Sequence, residues 1–435
     1  MPPTPNAALG EPSPSSSRID ALDALRGLAV LGIFVINILG FAMPEIAFEN
    51  PKAAGGAGAV NHGLWTFTTI FIEGSMRGLF SLMFGAGVML FTARAVYPDG
   101  PIKIADLFYR RTMWLIVFGV IHAYLLLMPG DILLIYGLAG LVLFPFRILP
   151  PRKLVFLSSA LLALFVADSA SLEFQELQLA RDAAAIETKT EAGERATRAE
   201  RQILKDWQAA VKDNWPEPED LQEQVSLRTG DAATVFLSNA EIVSGDNSTD
   251  SLLWWGADAL MMMFLGMAFY QWRIITAERS LKFYALLAAC GYAIGLAIRI
   301  WGVSERWAAD FSPIVTYPWL FDQPGRIAMT IGHIGLFFTL WKFVKTSLPM
   351  RALTAAGRMA LTNYIAQTVI ANLIFSGIGL GFYGAVDRMQ VYCVLVLIWL
   401  LQLAFSMWWL SRYRFGPLEW GWRALTYGHR PPLRK

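Results

Sequence analysis

Apolar runs of spanning length recur along the chain, and polar residues gather between them. Ten such runs can be marked: 25–43, 75–96, 109–128, 131–147, 152–169, 251–272, 281–301, 326–344, 359–380 and 390–410. A helix needs about 20 predominantly apolar residues to cross a bilayer. The pattern therefore predicts an all-α membrane protein, a polytopic bundle of about ten transmembrane helices in the lipid bilayer. Residues 61–74, "NHGLWTFTTIFIEG", precede the second run without a basic break and fit an interfacial or re-entrant helix. Residues 170–250 break the pattern: they are charged, rich in Ala, Glu, Gln and Arg, and keep helical spacing. The expected organisation is a disordered Pro/Ser-rich tail (1–17), five spans (18–169), a helical insertion (170–250), five spans (251–410) and a basic tail (411–435).

The basic residues add an orientation. Arg94, Lys103, Arg110 and Arg111 lie between spans two and three, and Arg147, Arg152 and Lys153 follow span four. Arg273 and Arg279 follow span six, and Lys342, Lys345, Arg351 and Arg358 mark span eight's exit. Arg412, Arg414, Arg423, Arg430, Arg434 and Lys435 follow span ten, while the alternate loops are poor in Lys and Arg. The positive-inside rule then puts both termini in the cytoplasm and the insertion outside.

Composition agrees with the pattern. Of 435 residues 55% are hydrophobic and only 16% charged, with 16 Trp and 28 Phe; soluble domains are about a quarter charged. The net charge of +2 comes with no basic, aromatic-interleaved patch, so no nucleic-acid partner is expected. Cys290 and Cys393 each lie in an apolar run, which predicts core-filling thiols and no metal site. No signal peptide is expected ahead of the first span. Walker, HExxH and nucleophile-elbow motifs are absent from the sequence, as are paired Gly/Pro-broken spans of the transporter kind.

The residues that cost most in hydrocarbon are the candidates for chemistry. In "FGVIHAYLLLMPGDILLIYGL", His122 and Asp131 flank a short turn between two apolar helices. Antiparallel neighbours would bring them within side-chain reach. An Asp that accepts from one imidazole nitrogen fixes the tautomer and leaves the other nitrogen as a base. Tyr136 would line the same cavity. The alternative is an Asp131 that caps its helix, beside a packing histidine. His62 and Trp65 share a helix face, and Glu73 and Arg77 are four apart, a spacing at which they could pair. His333 reads as a packing residue. Asp258 is one candidate counter-charge for Arg299. At the other end, Asp23 and Arg26 suggest a local ion pair, with Asn37 further along the span. Arg358 opens span nine, where Asn363 and Gln367 share a face and need partners across helices.

Five stretches carry a resemblance: "LDALRGLAVLGIFVINI", "GLFSLMFGAGV", "FGVIHAYLLLMPGDILLIYGL", "GRMALTNYIAQT" and "GPLEWGWRALTYG". In this order and spacing, from about residue 18 to 428, the chain resembles the YeiB-like family of bacterial membrane proteins. The "LDALRG…N" opening is more distantly similar to transmembrane acyltransferases such as heparan-α-glucosaminide N-acetyltransferase. That likeness implies acyl-CoA, probably as acetyl-CoA, entering from the cytoplasm, and an acyl group passed to an extracytoplasmic acceptor by a membrane histidine. The HxxW…D…G motif of those enzymes has an echo in His62, Trp65, Glu73 and Gly85, with glutamate for aspartate and the spacing off by one.

The expected function is thus an integral membrane acyltransferase acting on a carbohydrate or small-molecule acceptor. His122, Asp131 and His62 are the catalytic candidates. Asp23, Arg26, Asn37, Glu73, Arg77, Tyr136, Arg358, Asn363 and Gln367 are the binding candidates. The alternatives are a transporter or exporter of a small metabolite and an accessory membrane protein. The sequence leaves the oligomeric state open, a homodimer included.

Overall fold

The structure is a computed structural model that describes residues 20–93, 102–313 and 318–435. The tail at 1–17, Arg94 and the Lys103 side chain lie outside the described residues. Sixteen α-helices are described: α1 (Asp20–Ala42), α2 (Ala59–Phe71), α3 (Ser75–Thr92), α4 (Ile102–Val120), α5 (Ile132–Leu143), α6 (Pro151–Glu191), α7 (Arg198–Asn214), α8 (Pro218–Thr229), α9 (Ala232–Asp246), α10 (Thr249–Gln271), α11 (Leu281–Ala308), α12 (Pro318–Val344), α13 (Leu348–Arg358), α14 (Ala360–Phe375), α15 (Arg388–Arg412) and α16 (Pro417–Tyr427). Each of the ten expected spans falls on one of these helices. Seven helical segments are long and apolar enough to cross a membrane, with α2 and α3 together forming one of them. The apolar segments Ile132–Ile148 and Ala360–Phe375 are shorter, and α4 carries charge at Lys103, Asp106, Arg110 and Arg111.

The helix ends follow local chemistry. Asp131, Thr197, Asp231, Ser248, Ser280, Ser347 and Asp387 each accept a backbone N–H at the start of a helix, which satisfies donors a first turn leaves open. Between α2 and α3 the chain turns at Gly74, whose φ is 67°, so residues 61–74 form a separate helix and turn ahead of span two.

Two sets of cross-links sort the loops. On one side, Gln271 donates to Leu149 O, Lys342 to Ala277 O, Arg358 to Arg414 O and Trp422 to Arg111 O. The basic loops therefore share one end of the bundle. On the other side, the insertion holds the alternate loops: Asn50 donates to Asn214 O, Gly130 N–H to Asp246 and Gly377 N–H to Arg228 O. The expected boundary at 169/170 falls inside α6, which runs unbroken through 41 residues. Span five thus continues directly into the insertion.

Small residues set the closest helix crossings. A Cβ at Gly27 would strike the Leu353 carbonyl, and one at Gly357 would strike that of Asp23. Gly85 and Gly266 make the same reciprocal contact between α3 and α10, against Met263 O and Leu82 O. Small residues at such crossings let backbones approach within a membrane bundle. Gly27 of "LDALRG", Gly357 of "GRMALTNYIAQT" and Gly85 of "GLFSLMFGAGV" therefore serve packing, and Gly85 is also the glycine of the acyltransferase-like echo.

Candidate functional site

His122 lies in a π-helical turn, Ile121–Leu125, that ends α4. Single π turns are frequent at functional sites. The chain then passes Leu127, at φ 59°, and Gly130, at φ 66°. A buried leucine in the left-handed region stores backbone strain that its surroundings must hold. Asp131 follows as the cap of α5. A side chain at position 119 would collide with Leu134 N and approach Asp131 Oδ2, so Gly119 lets α4 lie against the start of α5.

The turn brings His122 and Asp131 together as expected. His122 Nδ1 is 2.7 Å from Asp131 Oδ1, and Leu134 N–H donates to Asp131 Oδ2 at 2.8 Å. Capping and histidine orientation, alternatives in the sequence, are both done by this one carboxylate. With a carboxylate at Nδ1, the proton sits on Nδ1 and Nε2 offers a lone pair. That lone pair is not free, which corrects the expectation of an open base. Thr368 Oγ1 of α14 is 2.8 Å from Nε2. His122 is 0% exposed and Thr368 1%, so the pair is sealed within the bundle and does not face an acceptor at its outer surface. Tyr364 packs edge-on to the imidazole, with ring centroids 4.9 Å apart, and its hydroxyl lies 3.5 Å from Asp131 Oδ1.

Tyr136 turns away from this site. Its hydroxyl is 2.6 Å from Ser81 Oγ and 3.5 Å from the Arg77 carbonyl, beside a second buried cluster. There Arg326 pairs with Asp258 and with Gln323 Oε1, and Arg77 Nη2 is 3.5 Å from Asp258 Oδ2. Arg77 also stacks on Trp255 at 4.2 Å. The expected Glu73–Arg77 pair does not form: a turn separates Glu73 from α3, and its carbonyl accepts from Arg299. Arg299 takes Asp322 as its counter-charge, not Asp258. Arg326 Nη1 and Arg77 Nε have no hydrogen-bond partner among the described residues.

The remaining candidates spread over the molecule. His62 is half-buried against Trp307, with ring centroids 5.2 Å apart, and Trp65 donates to Phe48 O. His333 is satisfied as a packing residue, by Tyr292 Oη at Nδ1 and Phe71 O at Nε2, both 2.8 Å away. Arg26 pairs with Asp23 at 2.9 Å. Asn37 is half-buried on α1. Asn363 donates to Ser406 and to Ala356 O, and Gln367 to Gln402, so these amides do find partners across helices. The Arg358 guanidinium reaches the Arg414 carbonyl. No group of three or more His, Cys, Asp or Glu side chains suited to a metal occurs among the described residues.

Sequence reasoning missed Thr368, and also the role of Tyr364. The signal was present: Tyr364, Thr368 and Asn372 repeat every four residues, a single stripe on one helix face. Asn372 extends it by donating to Leu126 O, in the turn that carries His122.

Comparison with known proteins places the chain. Residues 269–429 match the family described as "Protein of unknown function (DUF418)". The chain is 29% identical over 416 residues to the "Uncharacterized protein YeiB" of Escherichia coli (strain K12), covering 93% of this chain and 95% of the relative. It is 27% identical to the "Uncharacterized protein YxaH" of Bacillus subtilis (strain 168), covering 98% of each. No solved structure matches. With apolar helices that suit a multi-pass membrane protein, the chain is similar to the YeiB-like proteins over nearly its whole length.

Proposed function

We propose that the protein is a membrane acyltransferase. In this reading it moves an acyl group from cytoplasmic acyl-CoA to an extracytoplasmic carbohydrate or small-molecule acceptor, with His122 as general base. One observation carries the reading: an imidazole fixed by Asp131 at Nδ1 already receives a hydroxyl at Nε2. An acceptor hydroxyl or amine must lose its proton as it attacks an acyl carbonyl, and a base oriented this way can take it. Asp131 sets the tautomer and stabilises the imidazolium that forms. Access requires the 126–131 turn to move, and the strain at Leu127 lies in that turn. The basic end of the bundle is taken as cytoplasmic in a bacterial inner membrane, where its arginines would meet the phosphates of the thioester substrate.

The test is acetyl-CoA consumption by purified protein with a panel of sugars and amines, normalised to folded protein. Turnover in the wild type and its loss in His122→Gln is the expected result. Turnover unaffected by the substitution removes the histidine mechanism. A second reading, a transporter of a small metabolite, draws on the Arg77–Asp258–Arg326 cluster, since ionisable groups inside a bundle often mark substrate or proton paths. Solute flux in proteoliposomes, without thioester consumption, would favour it. A reporter fused to the C-terminus tests the orientation: activity only in the periplasm would reverse it.

A further inference from the structure

Hydroxyls in membrane helices have a default partner. A serine or threonine within a helix can donate back to the carbonyl four residues earlier, which satisfies it locally. This chain uses that device repeatedly: Thr92 donates to Val88 O, Thr112 to Phe108 O, Thr330 to Arg326 O, Thr339 to Gly335 O and Thr354 to Met350 O. Thr368, in the middle of α14, is turned to His122 Nε2 instead, at 2.8 Å. Among the described residues its hydroxyl otherwise reaches Met128 Sδ at 3.6 Å, a weak acceptor. The contact to Nε2 spans 246 positions in sequence, so it is tertiary and not a by-product of helix geometry.

We infer that Thr368 is the nucleophile of the acyl transfer, activated by His122 and Asp131, and that the acyl group passes through a Thr368 ester. The inference rests on the acyltransferase reading and deepens it. Carboxylate, imidazole and hydroxyl stand in the order and at the distances by which an adjacent base activates a weak hydroxyl nucleophile. In the first step Thr368 Oγ attacks the thioester carbonyl carbon as His122 Nε2 takes the hydroxyl proton. The C–S bond then breaks, and the imidazolium returns that proton to the leaving thiolate. In the second step an acceptor hydroxyl or amine gives its proton to Nε2 and attacks the ester carbonyl. The C–Oγ bond breaks and the imidazolium reprotonates Oγ. Atoms and charges balance with acyl-CoA and acceptor alone, and nothing is oxidised or reduced. The order also explains how one buried base can serve two substrates that arrive from opposite sides. The acyl group waits on the protein while the first leaves and the second enters.

The experiment uses the full purified chain, acid-quenched after incubation with radiolabelled acetyl-CoA in the absence of acceptor. The expected result is CoA release of one equivalent per chain, with one acetyl group mapped to the α14 peptide at Thr368. Thr368→Val, nearly isosteric but without the hydroxyl, should lose the label and slow turnover by about 10²–10⁴-fold. Thr368→Ser should keep both. Label on His122, or full turnover in a folded Thr368→Val protein, would overturn the assignment while leaving acyl transfer intact. Absence of any CoA release by the wild type, with or without acceptors, would overturn the acyltransferase reading itself and this inference with it.

Discussion

The His122 site and the Arg326 cluster are both buried in the bundle, but they handle polarity differently. Around His122 both ring nitrogens are partnered and both Asp131 oxygens accept, one from the imidazole and one from a helix start. Around Asp258 two guanidinium groups converge on one carboxylate, and two of their nitrogens remain orphaned among the described residues. The first arrangement can be neutral apart from one carboxylate and can pass a proton along a line. The second must hold full charges at all times, because an arginine does not deprotonate in proteins. The comparison teaches that burial alone does not mark chemistry. What distinguishes the His122 site is a group that can change protonation state while fully satisfied.

Breaking the charge balance should have the largest effect. Asp258→Ala leaves Arg326 and Arg77 buried without their shared anion. Removing one partner of a buried pair costs about 3–5 kcal/mol. The expected outcome is a severe loss of folded protein, read as yield and thermal midpoint in detergent. A variant that folds normally would show that the cluster is not held by its ion pairs.

His122→Gln should instead spare the fold, since an amide can still bond to Asp131, and should reduce acyl transfer by about 10²–10⁴-fold. The two substitutions thus separate a scaffold effect from a chemical one. Equal losses of stability in both would erase the distinction. Gly357→Ala provides a packing control at the α1–α13 crossing. Its added methyl must push α13 from α1 against the Asp23 carbonyl, and overpacking of this kind costs about 1–3 kcal/mol. A thermal melt checks it, and an unchanged midpoint would show that the crossing has slack.

The smallest effect is expected at the insertion. Asp246 accepts from Gly130 N–H at 3.0 Å, in the turn that leads to Asp131. Burial raises its carboxyl above the ordinary value, against the opposing pull of the Gly130 N–H and of Arg228. The folded state therefore binds the proton more tightly than the unfolded chain. The stability that Asp246 confers relative to Asp246→Asn should fall as pH rises, starting at the unfolded value of about 3.9 and levelling above the raised folded value. The group is half-exposed, so the change is about 1 kcal/mol or less. Chemical denaturation of both proteins across that window checks the sign; a difference that grows with pH would reverse it.

Much of the architecture was legible because a bilayer admits few solutions. Every spanning segment must satisfy its own backbone, so apolar runs marked helices, seven segments of which are long and apolar enough to cross a membrane, and basic loops sorted onto one end. His122 and Asp131 are nine positions apart in the chain, and short connections constrain geometry strongly; their contact was therefore readable. The amides Asn363 and Gln367 announced a need for partners in the same way.

The identities of long-range partners were not readable. Asp258 chose Arg326 over Arg299, Arg77 left Glu73, and His122 Nε2 found Thr368, each through helix rotations and crossings that no local pattern encodes. Two glycines facing each other, Gly27 and Gly357, place α1 against α13, but only the packed bundle reveals that they meet. Sequence alone determined that these polar side chains are buried in a helical membrane protein, because hydrophobic length and periodicity are local properties of the chain. The tertiary structure decided which of them touch, because a side chain's partner depends on the rotation of a helix about its own axis. Along an apolar helix such as α10 almost every face is hydrophobic, so the sequence leaves that rotation undetermined until neighbouring helices pack.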